Sequence, residues 1–97
     1  MSVARTMILN FMSKEDCQKY LGIYEDFVTS LKTLGLEEFH LCKASEDSLL
    51  YFALYKSEKS AEQIITKANE WREKYDFKLK DTIVFDAELV KSVKFKT

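Results

Sequence analysis

The segment Leu49–Tyr55 (LLYFALY) constrains the fold most, because it is apolar or aromatic at every position. A strand that buries only one face alternates apolar and polar residues, so an unbroken short run indicates a strand covered on both faces. We therefore predict a central strand here, around which the other elements pack. What covers its two faces decides the architecture and the position of any pocket.

The composition is that of one globular domain, predicted to span residues 1–97. Of the 97 residues, 46% are hydrophobic and 32% are charged, and the net charge is −1. Burial is marginal at this length, so association with a second copy would add stability. With this net charge, the chain lacks the basic surface that nucleic-acid binding requires. No apolar run approaches the roughly 18 residues of a membrane span, so we expect neither nucleic acid nor a membrane as a partner.

The few cysteines and the single histidine bear on compartment and cofactors. Cys17 and Cys42 cannot make a disulfide framework and suit a reducing compartment. The N-terminus lacks the apolar core of a signal peptide, so we expect a cytoplasmic protein. One histidine and two distant cysteines lack the number and spacing of metal ligands. No metal or other cofactor is expected.

The first half of the chain predicts a strand and a long helix. Val3–Met12 is nearly continuously apolar around its centre. We therefore predict that it forms the first strand of the chain and that, like Leu49–Tyr55, it is covered on both faces. Ser13 begins a helix of about twenty residues whose apolar positions recur every three or four residues. Gly35 ends it, where a left-handed conformation favours glycine. Gly22, in the middle of the helix, indicates close packing.

A hairpin follows. Leu36–Ala44 alternates polar and apolar residues, which predicts an edge strand, and the polar loop Ser45–Ser48 joins it to the central strand. A register that pairs Ala44 with Leu49 would bring together three further pairs across the hairpin. These are Cys42 with Tyr51, His40 with Ala53, and Glu38 with Tyr55.

The last third contains a second helix and an ambiguous tail. Either Ser57 or Ser60 caps the helix, which should run to about Tyr75. From Phe77 onward, apolar residues recur with a period of two over a length too great for one strand. They are Phe77, Leu79, Ile83, Phe85, Ala87, Leu89, Val93 and Phe95. A final strand is predicted at Leu89–Phe95. The conformation of Phe77–Ala87 is left open. Either a bulge or a short helical turn near Asp81–Asp86 interrupts the pattern, or the tail extends onto a partner subunit.

The element order β-α-β-β-α-β is typical of the α+β ferredoxin-like fold, an antiparallel sheet with its first and third strands in the centre. Right-handed crossovers place both helices on one face. The other face would expose Leu50, Phe52 and Leu54, or alternatively Tyr51, Ala53 and Tyr55. Packing of two copies, sheet against sheet, would cover it, so we predict a twofold homodimer.

This layout resembles the dimeric α+β barrel superfamily, which includes antibiotic-biosynthesis-monooxygenase-like proteins, certain haem-degrading enzymes and the L-rhamnose mutarotases. The resemblance rests on the long helix closing at Leu34-Gly35, on the hairpin, and on the run ALYKSEKSAEQI, a strand that feeds directly into a helix. It implies a dimeric barrel. The superfamily includes members with many activities, so the fold alone says little about function.

The resemblance transfers few functional residues. Mutarotases would place a histidine in the first helix, where this chain has Tyr20 and Tyr24. Asn10 matches the late first-strand asparagine of haem-degrading members, but the second helix lacks their histidine. Cofactor-independent oxygenation of an aromatic substrate, which such relatives carry out with tyrosine, asparagine and tryptophan, remains compatible with the sequence.

His40 is the candidate catalytic residue, since it alone titrates near neutral pH without help. On a strand face with tyrosines it could act as a general base, and the alternative is a half-exposed edge-strand histidine. A nucleophilic pair with Cys42 is a weaker alternative. The candidate ligand-binding residues are Asn10, Tyr24, Tyr51, Tyr55 and Trp71, each with packing or a structural hydrogen bond as its alternative.

Three functions remain open. The first is a homodimer that binds or transforms a small, aromatic or cyclic molecule in one pocket per subunit without metal or nucleotide, as a monooxygenase-like or isomerase-like enzyme would. The second is a non-catalytic module that binds a ligand or another protein. The third is a sugar mutarotase, for which only His40, Glu37 and Glu38 supply an acid and a base.

Overall fold

The computed structural model, which describes residues 2–95, has the predicted order β-α-β-β-α-β. Its elements are β1 (Val3–Phe11), α1 (Lys14–Ser30) continued by a 3-10 turn (Leu31–Leu34), β2 (Leu36–Ser45), β3 (Ser48–Tyr55), α2 (Glu58–Lys74) and β4 (Leu79–Glu88). The strands form one antiparallel sheet in the order β2-β3-β1-β4. The predicted ferredoxin-like architecture is confirmed, with β1 and β3 in the centre.

The helix ends follow the capping residues in the sequence. Ser13 caps α1 by accepting a hydrogen bond from the backbone N–H of Asp16. Of the two serines proposed for α2, Ser57 is the cap, and it accepts from the N–H of Ser60. Gly35 closes the 3-10 turn in the left-handed region, with φ 102°. The predicted helix boundaries are confirmed at these positions.

The two glycines predict opposite effects of one substitution. At Gly35 an added Cβ would lie 2.5 Å from the Ser60 Oγ at a positive φ, so Gly35→Ala should lower the free energy of unfolding by about 1–3 kcal/mol. Nothing lies within 4 Å of a Cβ at Gly22, so the predicted close packing there is wrong. Gly22→Ala should raise stability by about 0.5–1 kcal/mol. Urea unfolding of both variants measures the two effects, and equal shifts would contradict this account.

The core lies between one face of the sheet and the two helices. α1 packs over β1 and β3, whereas α2 packs over β2 and β3. The side chains that alternate toward the helices are buried. Those on β1 and β3 are Met7, Leu9, Phe11, Leu49, Tyr51, Ala53 and Tyr55. Because neither helix reaches over β4, Val84 on the helix side of that strand stays 42% exposed.

The hairpin register differs from the prediction by one residue. Ala44 is an extra residue in β2, so Lys43 rather than Ala44 lies opposite Leu49. His40 therefore lies opposite Phe52, and Cys42 lies opposite Leu50. Because side chains alternate between faces, this shift moves His40 and Cys42 to the face away from Tyr51 and Tyr55.

The predicted position of the last strand is also wrong. β4 spans Leu79–Glu88, whereas the predicted strand at Leu89–Phe95 has no regular structure. The bulge proposed for this region exists at Lys80, since Phe11 pairs with Leu79 and Asn10 pairs with Asp81. The extra residue reverses the face on which the following side chains lie, so Ile83 and Phe85 point away from the helices.

We call the sheet face opposite the helices the open face. It includes Ile8, Asn10, His40, Cys42, Leu50, Phe52, Leu54, Ile83 and Phe85, which share one side through the strand register. Phe85 is 66% exposed, and no helix within residues 2–95 covers this face. The first of the two sets of residues predicted for the uncovered face is therefore correct. Val90, Val93 and Phe95, beyond β4, are also exposed.

Candidate functional site

A cleft of about 400 Å³ lies between α2 and the helix side of β1 and β4. It exists because α2 packs over β2 and β3 and leaves the side chains of β4 uncovered. We call it the α2 cleft. It is lined by Arg5, Met7, Tyr51, Tyr55, Ile64, Ile65, Ala68, Asn69, Arg72, Leu79, Thr82 and Val84. Its size is within the range of small-molecule sites, about 300–1,000 Å³.

Arg5 is held in place by an ion pair across the sheet. Its Nε and Nη2 donate to the two carboxylate oxygens of Asp86, at 2.6 and 2.7 Å. The two residues lie opposite each other in the β1–β4 register. Burial acts to lower the pKa of Arg5, but the hydrogen bond to Asp86, together with the electrostatic effects of Tyr51, Asp86 and Tyr55, raises the pKa overall. The charge of Arg5 is therefore balanced within the protein.

Tyr51 and Tyr55 supply two buried phenols at the wall of the cleft. They lie four residues apart on β3, on its helix-facing side. Burial raises the pKa of both phenols above the usual value of about 10, although Arg5 acts in the opposite direction on each. Both hydroxyls are therefore protonated at neutral pH. They can donate a hydrogen bond to a ligand oxygen, but neither is ready to act as a phenolate base.

Arg72 is the second cation of the α2 cleft, and it differs from Arg5. It lies in the last turn of α2, and its Nη2 donates to the side-chain carbonyl of Asn69. Within residues 2–95 it forms no ion pair. It lines a small cavity together with Tyr20 and Tyr51. Its charge acts to lower the pKa of both phenols, against the larger effect of burial.

A packed aromatic cluster lies next to the cleft and holds two predicted ligand-binding residues. Trp71 stacks on Phe27 with ring centroids 4.6 Å apart, and it meets Tyr20 edge-on. Tyr24 stacks on Tyr20. The same small cavity, lined by Tyr20, Phe27 and Trp71 among other residues, measures about 30 Å³, which corresponds to about one water molecule. Trp71 thus lies close to the cleft without lining it, whereas Tyr24 packs on Tyr20 and Phe39 and lines neither space.

Asn10 and His40 lie on the open face, away from the other candidates. The Asn10 side chain accepts a hydrogen bond from the Ser48 hydroxyl and donates to Asp81. The His40 side chain is exposed, and its Nε2 lies 2.9 Å from the Glu38 carboxylate, which lowers the pKa of Glu38. The predicted grouping of His40 with the tyrosines is therefore wrong. A catalytic role for His40 stays a prediction, and it now refers to the open face.

The sequence reading missed both arginines of the cleft. Arg5 was detectable because it lies two residues before Met7 and four before Leu9, which puts its charged side chain on the buried face of β1. Arg72 continues the stripe of Ile64 and Ala68 at a spacing of four, which puts it on the core-facing side of α2. A long cation at a core position indicates either an internal partner or a ligand.

The described residues form neither a metal site nor a membrane-spanning helix. No three His, Cys, Asp or Glu side chains within residues 2–95 are placed to hold a metal ion. In the same part of the chain, no helix combines the length and apolar character needed to cross a membrane.

Comparison with known proteins confirms the resemblance at the level of the fold. No family model matches the chain, and no curated protein sequence matches it. Among solved structures, an antibiotic-biosynthesis-monooxygenase-like protein from Bacteroides thetaiotaomicron superposes with a TM-score of 0.75 at 16% identity, covering 98% of this chain and 96% of that chain. A monooxygenase from Streptomyces coelicolor, in complex with the ligand nanaomycin D, gives 0.73 at 8% identity, covering 98% and 93%. A dimeric ferredoxin-like protein from an uncultured marine organism gives 0.72 at 15% identity, covering 96% and 99%.

Proposed function

We propose that the protein is a homodimer that binds a small aromatic or cyclic molecule in the α2 cleft of each subunit, without metal or nucleotide. The observation that carries this proposal is the cleft itself. Apolar side chains, two protonated phenols and one unbalanced guanidinium converge on a space large enough for such a molecule. The complex of a similarly folded monooxygenase with nanaomycin D supports a ligand of this kind.

The open face supports the homodimer. Six large apolar side chains lie together on a face that the protomer leaves uncovered, and a contiguous apolar face of this kind is typical of an interaction surface. A twofold axis would pack Phe52 and Phe85 of one copy against the same sheet face of its partner. Dimerisation is stated for one of the similarly folded proteins. Both cysteines are free, which suits the proposed cytoplasmic location.

Binding without turnover is the second candidate, and the lining of the cleft favours it. None of the side chains that line the cleft in residues 2–95 is a carboxylate, an imidazole or a thiol. General acid–base catalysis works best with a group that titrates near the operating pH. A mutarotase reaction would lack both its acid and its base here. An oxygenase that only binds and orients a reactive substrate would not need them.

A cleft-filling variant tests the location of binding. Val84 is 42% exposed at the rim of the cleft, so Val84→Trp should fold normally while the indole occupies the ligand space. Hits from a screen of small aromatic and cyclic compounds, observed by saturation-transfer NMR, should lose at least about tenfold in affinity in this variant, or 1.4 kcal/mol.

Thr29→Trp is the matched control, because it adds the same ring at an exposed position of α1. It should leave the affinities unchanged. If Val84→Trp binds every hit as tightly as the unmodified protein, the α2 cleft is not the site. Recovery of the bound compounds under air, analysed by mass spectrometry, separates turnover from simple binding.

A further inference from the structure

We infer that the ligand of the α2 cleft is an aromatic acid, and that Arg72 binds its anionic oxygen. This inference rests on the proposed function, because it names the chemical class of molecule that the same cleft takes. It goes further by assigning the recognition of charge to one residue.

The two arginines of the cleft are not equivalent. Arg5 gives two of its hydrogen bonds to Asp86, so its charge is already balanced by a carboxylate. Arg72 donates only to the neutral side chain of Asn69 and has no acidic partner within 4.0 Å in the part of the chain described. The cleft therefore presents one unbalanced positive charge.

The acidic groups near Arg72 do not balance it. Glu73 and Asp76 lie with it along a neighbouring surface depression, and both are exposed without forming an ion pair. Glu70, on the same helix, lines a separate surface depression with Leu34 and Lys67. A half-buried guanidinium is costly to leave unpaired and gains most from a planar, charged acceptor such as a carboxylate.

The rest of the cleft matches the remaining part of an aromatic acid. Met7, Ile65 and Val84 supply an apolar wall for a ring. The hydroxyls of Tyr51 and Tyr55, both protonated, can donate to an oxygen on that ring. Every charged group that lines the cleft is a cation, so an anionic ligand would meet no carboxylate there.

Isothermal titration calorimetry with 2-naphthoate and its neutral analogue 2-naphthamide tests the inference. The unmodified protein should bind the acid about tenfold more tightly than the amide, the lower end expected for a charge-assisted hydrogen bond. Arg72→Gln should abolish this preference while it leaves binding of the amide nearly unchanged. Arg72→Lys, which keeps the charge but not the planar fork, should keep part of it.

Lys67→Gln provides the matched control, because it removes the same charge from an exposed position of α2 outside the cleft. It should retain the full preference. Equal binding of the two probes, or a preference that survives in Arg72→Gln, would overturn the inference. If the inference is overturned in this way but Val84→Trp still weakens the binding of both probes, the proposed function remains supported without the inference. If neither probe binds while the screen hits still lose affinity in Val84→Trp, the inference fails alone; if no hit loses affinity in Val84→Trp, the proposed function fails and the inference fails with it.

Discussion

Replacing Phe85 with aspartate is expected to convert the homodimer into a monomer that keeps its fold. Phe85 is 66% exposed in the protomer, so a carboxylate there remains hydrated when the chain folds alone. In the proposed dimer the same carboxylate would be buried against the apolar open face of the partner. Burying an unpaired charge costs about 3–5 kcal/mol, and the twofold dimer buries one from each copy, so the dissociation constant should rise by at least about a thousandfold. Sedimentation equilibrium across a concentration series measures this change.

The neighbouring residue gives a control on the same strand. Val84 points to the helix side of β4, so Val84→Asp introduces the same charge one position away and on the opposite face. It should remain dimeric. If both variants, or neither, become monomeric at micromolar concentration, the open face is not the dimer interface.

Phe11→Ala should have the largest effect on stability of any single truncation described here. Phe11 is fully buried, and its ring packs against Tyr20 and Phe77 with centroids 5.5 and 6.2 Å away. Removing it leaves a cavity that joins β1, α1 and the segment before β4. Such a truncation costs about 3–5 kcal/mol, a large part of the stability of a small domain. Chemical unfolding followed by circular dichroism measures the loss.

The adjacent Met12 provides the comparison, because it is 57% exposed. Met12→Ala should change the free energy of unfolding by less than about 0.5 kcal/mol. A loss at Phe11 no greater than that at Met12 would show that the aromatic cluster does not stabilise the fold as described.

The architecture was predictable because strong local signals agreed with the overall pattern. Leu49–Tyr55 lies within β3, a central strand, and the serine caps and Gly35 mark the helix ends. Local signals of this kind reflect the backbone geometry that each residue type favours. They require no information about the partner strand.

The error in the hairpin register and the misplacement of the last strand share one physical cause. Ala44 and Lys80 each insert one extra residue into an edge strand, and neither position has a glycine, proline or asparagine to indicate a bulge. Because the side-chain period is two, one inserted residue reverses the face of the residues beyond it. His40 was placed beside the tyrosines for this reason.

The candidate site was predictable in part. Tyr51 and Tyr55 were identified from the apolar run, and the structure places both at the cleft. Arg5 and Arg72 were missed because charged residues are usually solvated, and no local pattern reports that Asp86 pairs with only one of them. Pairing between distant strands depends on the register, which the bulge at Lys80 sets.

A crystal structure of the complex with 2-naphthoate tests the central claim most directly. We predict the naphthalene ring between α2 and β4, against Met7 and Val84, with the carboxylate on Arg72 and within reach of the tyrosine hydroxyls. A ring bound instead on the open face, beside His40 and Phe52, would contradict this assignment of the site.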